Sequence, residues 1–368
     1  MSDSGKKPTV VISPFGGKFY TYVDMLKDMY AFQGCRTVSL REAAKSMPPF
    51  RGVDEVVLNW FDEIGPCSPL KARLSIAFKS CLLSYWRARG IKVTVVIHNR
   101  IGHYATNEAA NRELRRICCE KASRIVVLCR ETEGVLRDVD SAAFDKTWKG
   151  KVQLIPHPSF SRIGDAELPY VPHEGEEFTF LFVGTVNRYK NIDLILDVAE
   201  RFLGEGKDAR FHIAGTSKDV EYLSKVVSRA DELPNVTFEN RGVPDEELPE
   251  LIKASDILLL PYDRKSSLNS GTCVLAYTFG RNTICPTIGT TSEYPDELIY
   301  TYDYDSSDEQ LEQLLMTVET SFDDWTHRKD LFISREKELQ RLTNADCSQQ
   351  KLSAAFSHFM PIFYESKN

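Results

Sequence analysis

Residues 259–285 read LLPYDRKSSLNSGTCVLAYTFGRNTIC. An apolar run ends at Pro261, a polar loop reaches Asn269-Ser270-Gly271-Thr272, and an apolar stretch with helical character leads to a further strand at 283–285. A glycine just before a helix lets backbone N–H groups approach a phosphate, because no Cβ intervenes. The segment predicts a strand, a loop, a helix and a strand, with either a phosphate site or an ordinary turn in the loop.

The same alternation of apolar runs and helical patterns extends in both directions. Uninterrupted apolar strands separated by helices are typical of parallel sheets that are covered on both faces. Strands are predicted at 9–13, 55–59, 93–97, 124–128, 178–183, 210–214, 236–238 and 257–260, and helices at 20–33, 70–89, 107–122, 192–202, 218–232 and 246–254. Residues 308–368 have a helical, amphipathic pattern.

The predicted fold class is α/β, with two doubly wound Rossmann-like domains facing a cleft. We assign the first domain to residues 1–165 and the second to 166–340. Residues 341–368 are predicted to be a helical segment that crosses back. The Pro- and acid-rich stretch 163–177 is the predicted interdomain linker. Ligands in such sheets bind beyond the carboxyl ends of the strands.

Length and composition agree with this organisation. A chain of 368 residues is too long for one ordinary core, and 42% hydrophobic with 27% charged residues is typical of a soluble globular protein. No apolar run approaches the roughly 18 residues of a membrane-spanning helix. The N-terminus lacks the pattern of a signal peptide, and the nine cysteines form no CxxC motif. A cytoplasmic protein with reduced thiols is expected.

The charge is distributed unevenly along the chain. Residues 1–165 contain 26 Lys and Arg against 17 Asp and Glu, a net charge of +9, which leaves 20 against 36, or −16, for residues 166–368. Nucleic acid, an anionic membrane surface or a phosphorylated acceptor would suit the basic half. The overall charge of −7 and the lack of a nucleic-acid-binding motif argue against nucleic acid.

Residues 69–89 form a basic predicted helix without an acidic residue. Ser68 is the predicted N-cap and Pro69 the first helical residue. Apolar residues alternate with Lys71, Arg73, Lys79, Arg87 and Arg89. Such a helix lies either at a membrane surface or in a domain core with a solvated basic face.

Candidate site residues in the first domain follow predicted strands. Gly16 and Gly17 follow the first strand without forming GxGxxG, so they permit either close approach to a ligand or a plain turn. His98 and Asn99 follow the third strand. His98 is the candidate general base or sugar-hydroxyl partner, and His103 is its alternative. His157, near the domain boundary, would face the cleft or lie in a structural turn.

In the second domain, Arg188 and Lys190 lie two residues apart after the strand at 178–183. Two cations beside a helix N-terminus are suited to a diphosphate. We expect them to bind it together with the backbone near Ser270, Gly271 and Thr272. A solvated pair of charges is the alternative.

In their order, these motifs resemble the GT-B glycosyltransferases, in particular the family 4-like group of bacterial exopolysaccharide and glycan assembly enzymes. The family's Gly-Gly loop, "HN" strand end and "VG…YK" segment resemble Gly16-Gly17, His98-Asn99 and Val183-Gly184…Tyr189-Lys190. Residues 236–262 and Asn269-Ser270-Gly271 carry the most specific part of the likeness. The resemblance implies donor or nucleotide contacts from Gly184, Thr185, Gly215, Tyr262, Asn269 and Glu293.

Two departures concern the carboxylates of the family pattern. Leu268 and Ala276 occupy the positions of its two glutamates, and Thr185 replaces an arginine. Glu293 is then the candidate for a ribose contact. A subset with "PY…NSG…ALxFGrP" is more similar to this chain.

The resemblance implies transfer of a hexosyl group from a nucleoside-diphosphate sugar to a glycan or lipid-linked saccharide, with either retention or inversion of the anomeric configuration. Inversion would require a base, for which His98 is the first candidate and a carboxylate of the first domain the second. No cofactor or metal is expected if Lys190 and Arg188 supply the positive charge. Contact of the basic half with the inner face of the cell membrane is a further expectation. A sugar-nucleotide epimerase or hydrolase of the same shape and a non-catalytic partner subunit are the alternatives.

Overall fold

The computed structural model describes residues 7–16, 21–100, 107–162 and 168–357. Contacts divide the chain into two compact units. The first unit comprises the described residues of Met1–Asp165 and Asp346–Asn368, and the second those of Ala166–Ala345.

The first unit has a six-stranded parallel sheet in the order β2-β1-β3-β4-β5-β6. Its strands are β1 (Thr9–Ser13), β2 (Arg36–Ser39), β3 (Glu55–Asn59), β4 (Lys92–Ile97), β5 (Arg124–Val127) and β6 (Val152–Leu154). Its helices are α1 (Tyr22–Phe32), α2 (Leu40–Ala44), α3 (Pro69–Ala88), α4 (Glu108–Lys121), α5 (Thr132–Val139) and α6 (Ser141–Ala143), followed by a π-helical turn Phe144–Trp148 and a 3-10 turn Lys149–Lys151.

The second unit has a parallel sheet in the order β12-β11-β10-β7-β8-β9. Its strands are β7 (Phe178–Val183), β8 (Ala209–Ala214), β9 (Val236–Glu239), β10 (Ile257–Leu259), β11 (Asn282–Pro286) and β12 (Tyr300–Tyr302). Its helices are α7 (Ile192–Gly204), α8 (Val220–Asp231), α9 (Leu248–Lys253), α10 (Gly271–Thr278), α11 (Ser307–His327) and α12 (Lys329–Asp346), with 3-10 turns Arg188–Lys190, Thr291–Glu293 and Asp296–Leu298. A final helix, α13 (Gln349–Ser357), belongs to the first unit.

Both faces of the first sheet are buried, as its apolar strands require. Val11 packs with Trp86 of α3, whereas Val10 packs on the opposite face with Leu26 of α1 and Phe356 of α13. Successive strand residues point to opposite faces, so each face has its own helical layer. The chain's last described helix thus completes the core of the first unit.

Three short strands lack the apolar runs that predicted the others. β2, β6 and β12 read RTVS, VQL and YTY, and each lies at the edge of its sheet. Edge strands are covered on fewer sides and need fewer apolar residues.

Within the part of the chain that the structure describes, no helix is long and apolar enough to cross a membrane.

Candidate functional site

The loops at the carboxyl ends of β7 and β8 pass very close to each other. Gly184 has a φ of +141°, and a Cβ there would lie 2.9 Å from Lys190 Nζ. A Cβ on Gly215 would lie 1.9 Å from the Gly184 carbonyl oxygen. Packing alone therefore accounts for the glycine at 215. The predicted donor contact of Gly215 stays a prediction, as does that of exposed Thr185, whose hydroxyl accepts a hydrogen bond from Asn187.

Lys190 is a buried cation at the end of the turn that precedes α7. It is only 8% exposed, and its Nζ lies 5.4 Å from the ring centroid of Tyr262 and 5.6 Å from that of Phe182. Loss of hydration lowers the pKa of Lys190 from 10.5 to about 8. No carboxylate among the described residues forms an ion pair with it. Among the described residues the ammonium contacts two aromatic faces and has no carboxylate partner, an arrangement suited to an anionic ligand.

The N-terminus of α10 adjoins the same aromatic ring. Ser270 caps this helix, since its Oγ accepts from the backbone N–H of Cys273 at 3.2 Å. The side chains of Ser270 and Thr272 lie beside the Tyr262 hydroxyl and act on its pKa. The first N–H groups of a helix have no acceptor within it and lie at the positive end of its dipole. The structure therefore brings Lys190, Tyr262, Ser270 and Thr272 together.

Arg188 does not share this environment. Its Nε donates to Asp219 Oδ2 at 2.9 Å, and its guanidinium lies over the ring of Tyr222, 5.1 Å from the centroid. Both partners of the ion pair are exposed. The predicted clamp of two cations is thus divided between a buried lysine and a surface arginine that already has a carboxylate partner.

The segment containing Glu293 is hydrogen-bonded to the loop before α10. The backbone N–H of Thr290 donates to the Leu268 carbonyl at 3.2 Å, and that of Ser270 donates to Thr290 Oγ1 at 2.8 Å. Glu293 follows in the turn Thr291–Glu293 and is partly exposed. Asn269, also partly exposed, lies in the same loop. The ribose contact of Glu293 stays a prediction.

Leu268 and Ala276, which the resemblance aligned with two glutamates of the family 4-like pattern, are completely buried. Leu268 lies in the loop before α10 and Ala276 lies within that helix. Both positions are therefore occupied by packed apolar side chains.

The first unit has an aromatic cluster at the carboxyl ends of β3 and β4. His98 Nε2 lies 3.0 Å from Asn59 Oδ1, and the imidazole stacks on Trp60 with centroids 4.1 Å apart. Tyr22 of α1 contacts His98 edge-on at 4.9 Å and His157 at 5.3 Å. The structure therefore brings His98 and His157 together through one tyrosine.

Burial weakens the prediction of His98 as a general base. Loss of hydration lowers the pKa of His98 to about 3 and that of His157 to about 4. A base works best when its pKa lies near the working pH, so a pKa of about 3 is poorly matched to neutral solution. A neutral imidazole still suits the other predicted role, a hydrogen bond to a sugar hydroxyl. Histidine pKa follows from burial, which sequence spacing does not report.

Asn99 is buried and donates to Glu63 Oε1 at 2.6 Å. Loss of hydration and the neighbouring Asp62 raise the pKa of Glu63 to about 7. Sequence reasoning allowed for a carboxylate of the first domain but did not name Glu63, although its position four residues after the strand at 55–59 was a usable signal. This carboxyl group is better matched to neutral pH than His98.

The predicted glycine loop and second histidine are described only in part. Gly16 has a φ of +133°, and a Cβ there would lie 3.2 Å from both Asp24 Oδ1 and Lys27 Nζ. Close packing against α1 thus favours glycine at this position. Gly17 and His103 lie outside the described residues.

Comparison with known proteins supports the reading of the second unit. Residues 167–273 match the sequence model of the family described as glycosyl transferases group 1. Among curated protein sequences, none matches the chain significantly.

Solved structures resemble the chain over most of its length. Sucrose-phosphate synthase from Thermosynechococcus elongatus is 15% identical, with a TM-score of 0.70 over 98% of this chain and 100% of that one. HepE of Anabaena, in complex with UDP and glucose, is 12% identical, with a TM-score of 0.67 over 97% and 100%. TarM of S. aureus, solved with UDP and saccharides, is 13% identical, with a TM-score of 0.57 over 84% of this chain. This chain covers 55% of TarM.

The two parallel sheets and these likenesses establish the two-domain α/β GT-B fold predicted from sequence. Together with the family match in the second unit, they support the prediction that the chain is a glycosyltransferase enzyme.

Proposed function

We propose that this glycosyltransferase moves a hexosyl group from a nucleoside-diphosphate sugar to a glycan or lipid-linked saccharide, in polysaccharide or glycoconjugate assembly. The observation that carries the proposal is Lys190, a buried ammonium beside the N-terminus of α10 that forms no ion pair with a described carboxylate. The second unit would bind the donor and the basic first unit the acceptor. The motifs of the chain resemble those of the family 4-like exopolysaccharide enzymes, and this resemblance supports a role in polysaccharide or glycoconjugate assembly.

Lys190 and the α10 N-terminus would stabilise the leaving diphosphate. Negative charge grows on the diphosphate as the glycosidic bond breaks, and preorganised cations and N–H groups that meet this charge lower the barrier. Binding also removes the cost of holding an unpaired ammonium in a buried position. We propose that this charge suffices without a metal. No group of three or more His, Cys, Asp or Glu side chains that could hold a metal ion occurs among the described residues.

UDP is the first nucleotide to test, because HepE and TarM were both solved with it. A thermal-shift screen would compare UDP, GDP, ADP and dTDP, each alone and as its common hexose conjugates. A ligand present at 100 times its Kd stabilises the fold by about 2.7 kcal/mol. We expect one nucleotide series to raise the Tm of the wild type. Failure of all four nucleoside diphosphates to do so would overturn the proposal.

Contact with an anionic membrane is the second part of the proposal. Leu70, Leu74 and Phe78 of α3 are 68%, 61% and 65% exposed, and their spacing of four places them on one face of the helix. The opposite face is buried through Ile76 and Trp86. Helix α3 has no acidic residue, and Lys71 and Arg73 lie within the exposed stretch. An apolar stripe flanked by cations is suited to the interface of an anionic bilayer at the cytoplasmic face.

Vesicle sedimentation tests this contact. Wild type should bind vesicles with 30% phosphatidylglycerol, and both Leu74→Glu and Phe78→Glu should reduce the bound fraction. Met316→Glu is the matched control, since Met316 is a 61% exposed apolar residue of α11 in the other unit. Equal binding by all variants would show that α3 does not contact the membrane.

A further inference from the structure

The loop after β3 places Glu63 at the carboxyl edge of the first sheet, where no described Lys or Arg forms an ion pair with its carboxylate. Glu63 is partly buried, and Asn99, which follows β4, donates to its Oε1 at 2.6 Å. No described residue donates a hydrogen bond to Oε2. The two residues follow neighbouring strands of the sheet, where ligands of such sheets bind.

The cations near Glu63 are engaged elsewhere. Arg115 of α4 donates to Asp62 Oδ2 at 2.7 Å, within a buried ion pair, and to the Arg100 carbonyl at 2.6 Å. Lys79 of α3 donates to the backbone carbonyls of Phe61 and Glu63 at 2.8 and 2.9 Å. These bonds fix the loop against α3 and α4. Arg115 and Lys79 act on the Glu63 charge from a distance, and among the described residues only Asn99 donates a hydrogen bond to the carboxylate.

An unpaired, partly buried carboxylate destabilises a fold. Folding therefore does not explain its presence, whereas a hydroxyl-bearing ligand would. Carboxylate and amide side chains together offer both an acceptor and a donor to a sugar, and a hydrogen bond to a charged acceptor is stronger than one between neutral groups. A phosphate beside the Glu63 carboxylate would be repelled by its negative charge, since Asp62 is already neutralised by Arg115.

We propose that Glu63, held by Asn99, accepts a hydrogen bond from a hydroxyl of the acceptor, and that the acceptor group bound here is a neutral sugar rather than a phosphorylated one. This inference rests on the proposed function and specifies its acceptor side. Glu63 is thus a substrate-binding residue that selects the acceptor.

Protonation should weaken this contact. The groups that face Glu63 are Asn99 after β4, Asp62 in its own loop, Arg115 of α4 and Lys79 of α3, and the balance of burial and charge raises the pKa of Glu63 to about 7. Below that pH the carboxyl becomes neutral and loses its charge-assisted bond. The KM for the acceptor should therefore rise as the pH falls from 8 to 6.

Glu63→Gln tests the proposal, because glutamine keeps the shape and the bond from Asn99 but removes the charge. Initial rates would be measured with the UDP-, GDP-, ADP- and dTDP-hexoses as donors and octyl β-D-glucoside, galactoside and mannoside as acceptors, alongside glucose 6-phosphate. In Glu63→Gln we expect the KM for the glycoside to rise about tenfold or more, with its pH dependence flattened. The KM for the donor should stay unchanged, and the Tm of the variant should not fall below that of the wild type. Glu113→Gln, an exposed glutamate of α4, is the matched control.

The outcomes separate the two proposals. If the wild type transfers no sugar from any donor to any acceptor and binds no nucleotide, the proposed function fails. If the wild type transfers sugar and Glu63→Gln retains the acceptor KM and its pH dependence, Glu63 is not an acceptor ligand. A fall in Tm without a change in acceptor KM would identify a structural role. Preference of the wild type for glucose 6-phosphate would overturn the assignment of a neutral acceptor.

Discussion

Replacing Lys190 with methionine should stabilise the ligand-free protein and abolish binding of the diphosphate. The pKa of Lys190 falls from 10.5 to about 8 on folding, so the folded chain holds this proton less tightly than the unfolded chain. The difference corresponds to about 3 kcal/mol at 1.36 kcal/mol per pH unit. This penalty is fully present below pH 8 and disappears as the pH rises to 10.5. Methionine fills a similar volume without the charge.

The free energy of unfolding of Lys190→Met, measured by urea titration at pH 7, should exceed that of the wild type by a few kcal/mol, and the gain should shrink at pH 10. The thermal shift produced by the active nucleoside diphosphate should be lost. Lys225→Met is the control, because Lys225 is an exposed lysine of α8 paired with Glu221. A destabilised variant, or one that still binds the diphosphate normally, would refute the reasoning that Lys190 is an uncompensated charge kept for the ligand.

Three further substitutions test other contacts. Gly215→Ala should destabilise the fold by about 3 kcal/mol in urea titration, because its Cβ would meet the Gly184 carbonyl at 1.9 Å; an unchanged midpoint would contradict this. Arg115→Met should cost about 3–5 kcal/mol, since it leaves Asp62 buried without its partner; a loss below about 1 kcal/mol would show that the pair is dispensable. Arg188→Met should change diphosphate affinity only a few-fold in calorimetry, because Arg188 is exposed and pairs with Asp219. A loss as large as that of Lys190→Met would restore the predicted two-cation clamp.

The prediction of two parallel α/β sheets succeeded where strands are buried on both faces. Such strands must be continuous apolar runs, as in FTFLFV of β7, and a linear pattern reports this directly. The prediction failed for β2, β6 and β12, because strands at the edge of a sheet do not require a continuous apolar run. Helix caps also depend on residues close in sequence. The hydroxyl groups of Ser68 and Ser270 accept hydrogen bonds from the backbone N–H three residues later, at the start of α3 and α10.

The sequence by itself determined the fold class, the order of the elements and the loop from Pro261 to Ser270 as a candidate phosphate site, because these depend on apolar periodicity, on glycine and on residues close in the chain. Only the tertiary structure decided which charges are available to a ligand. Lys190 and Arg188 are two residues apart, yet one is buried against Tyr262 and the other is paired with Asp219. The sequence named His98 as the titrating group, but burial lowers its pKa to about 3, whereas burial and Asp62 raise the pKa of Glu63 to about 7. Burial depends on residues far away in sequence, so only the tertiary structure sets these pKa values.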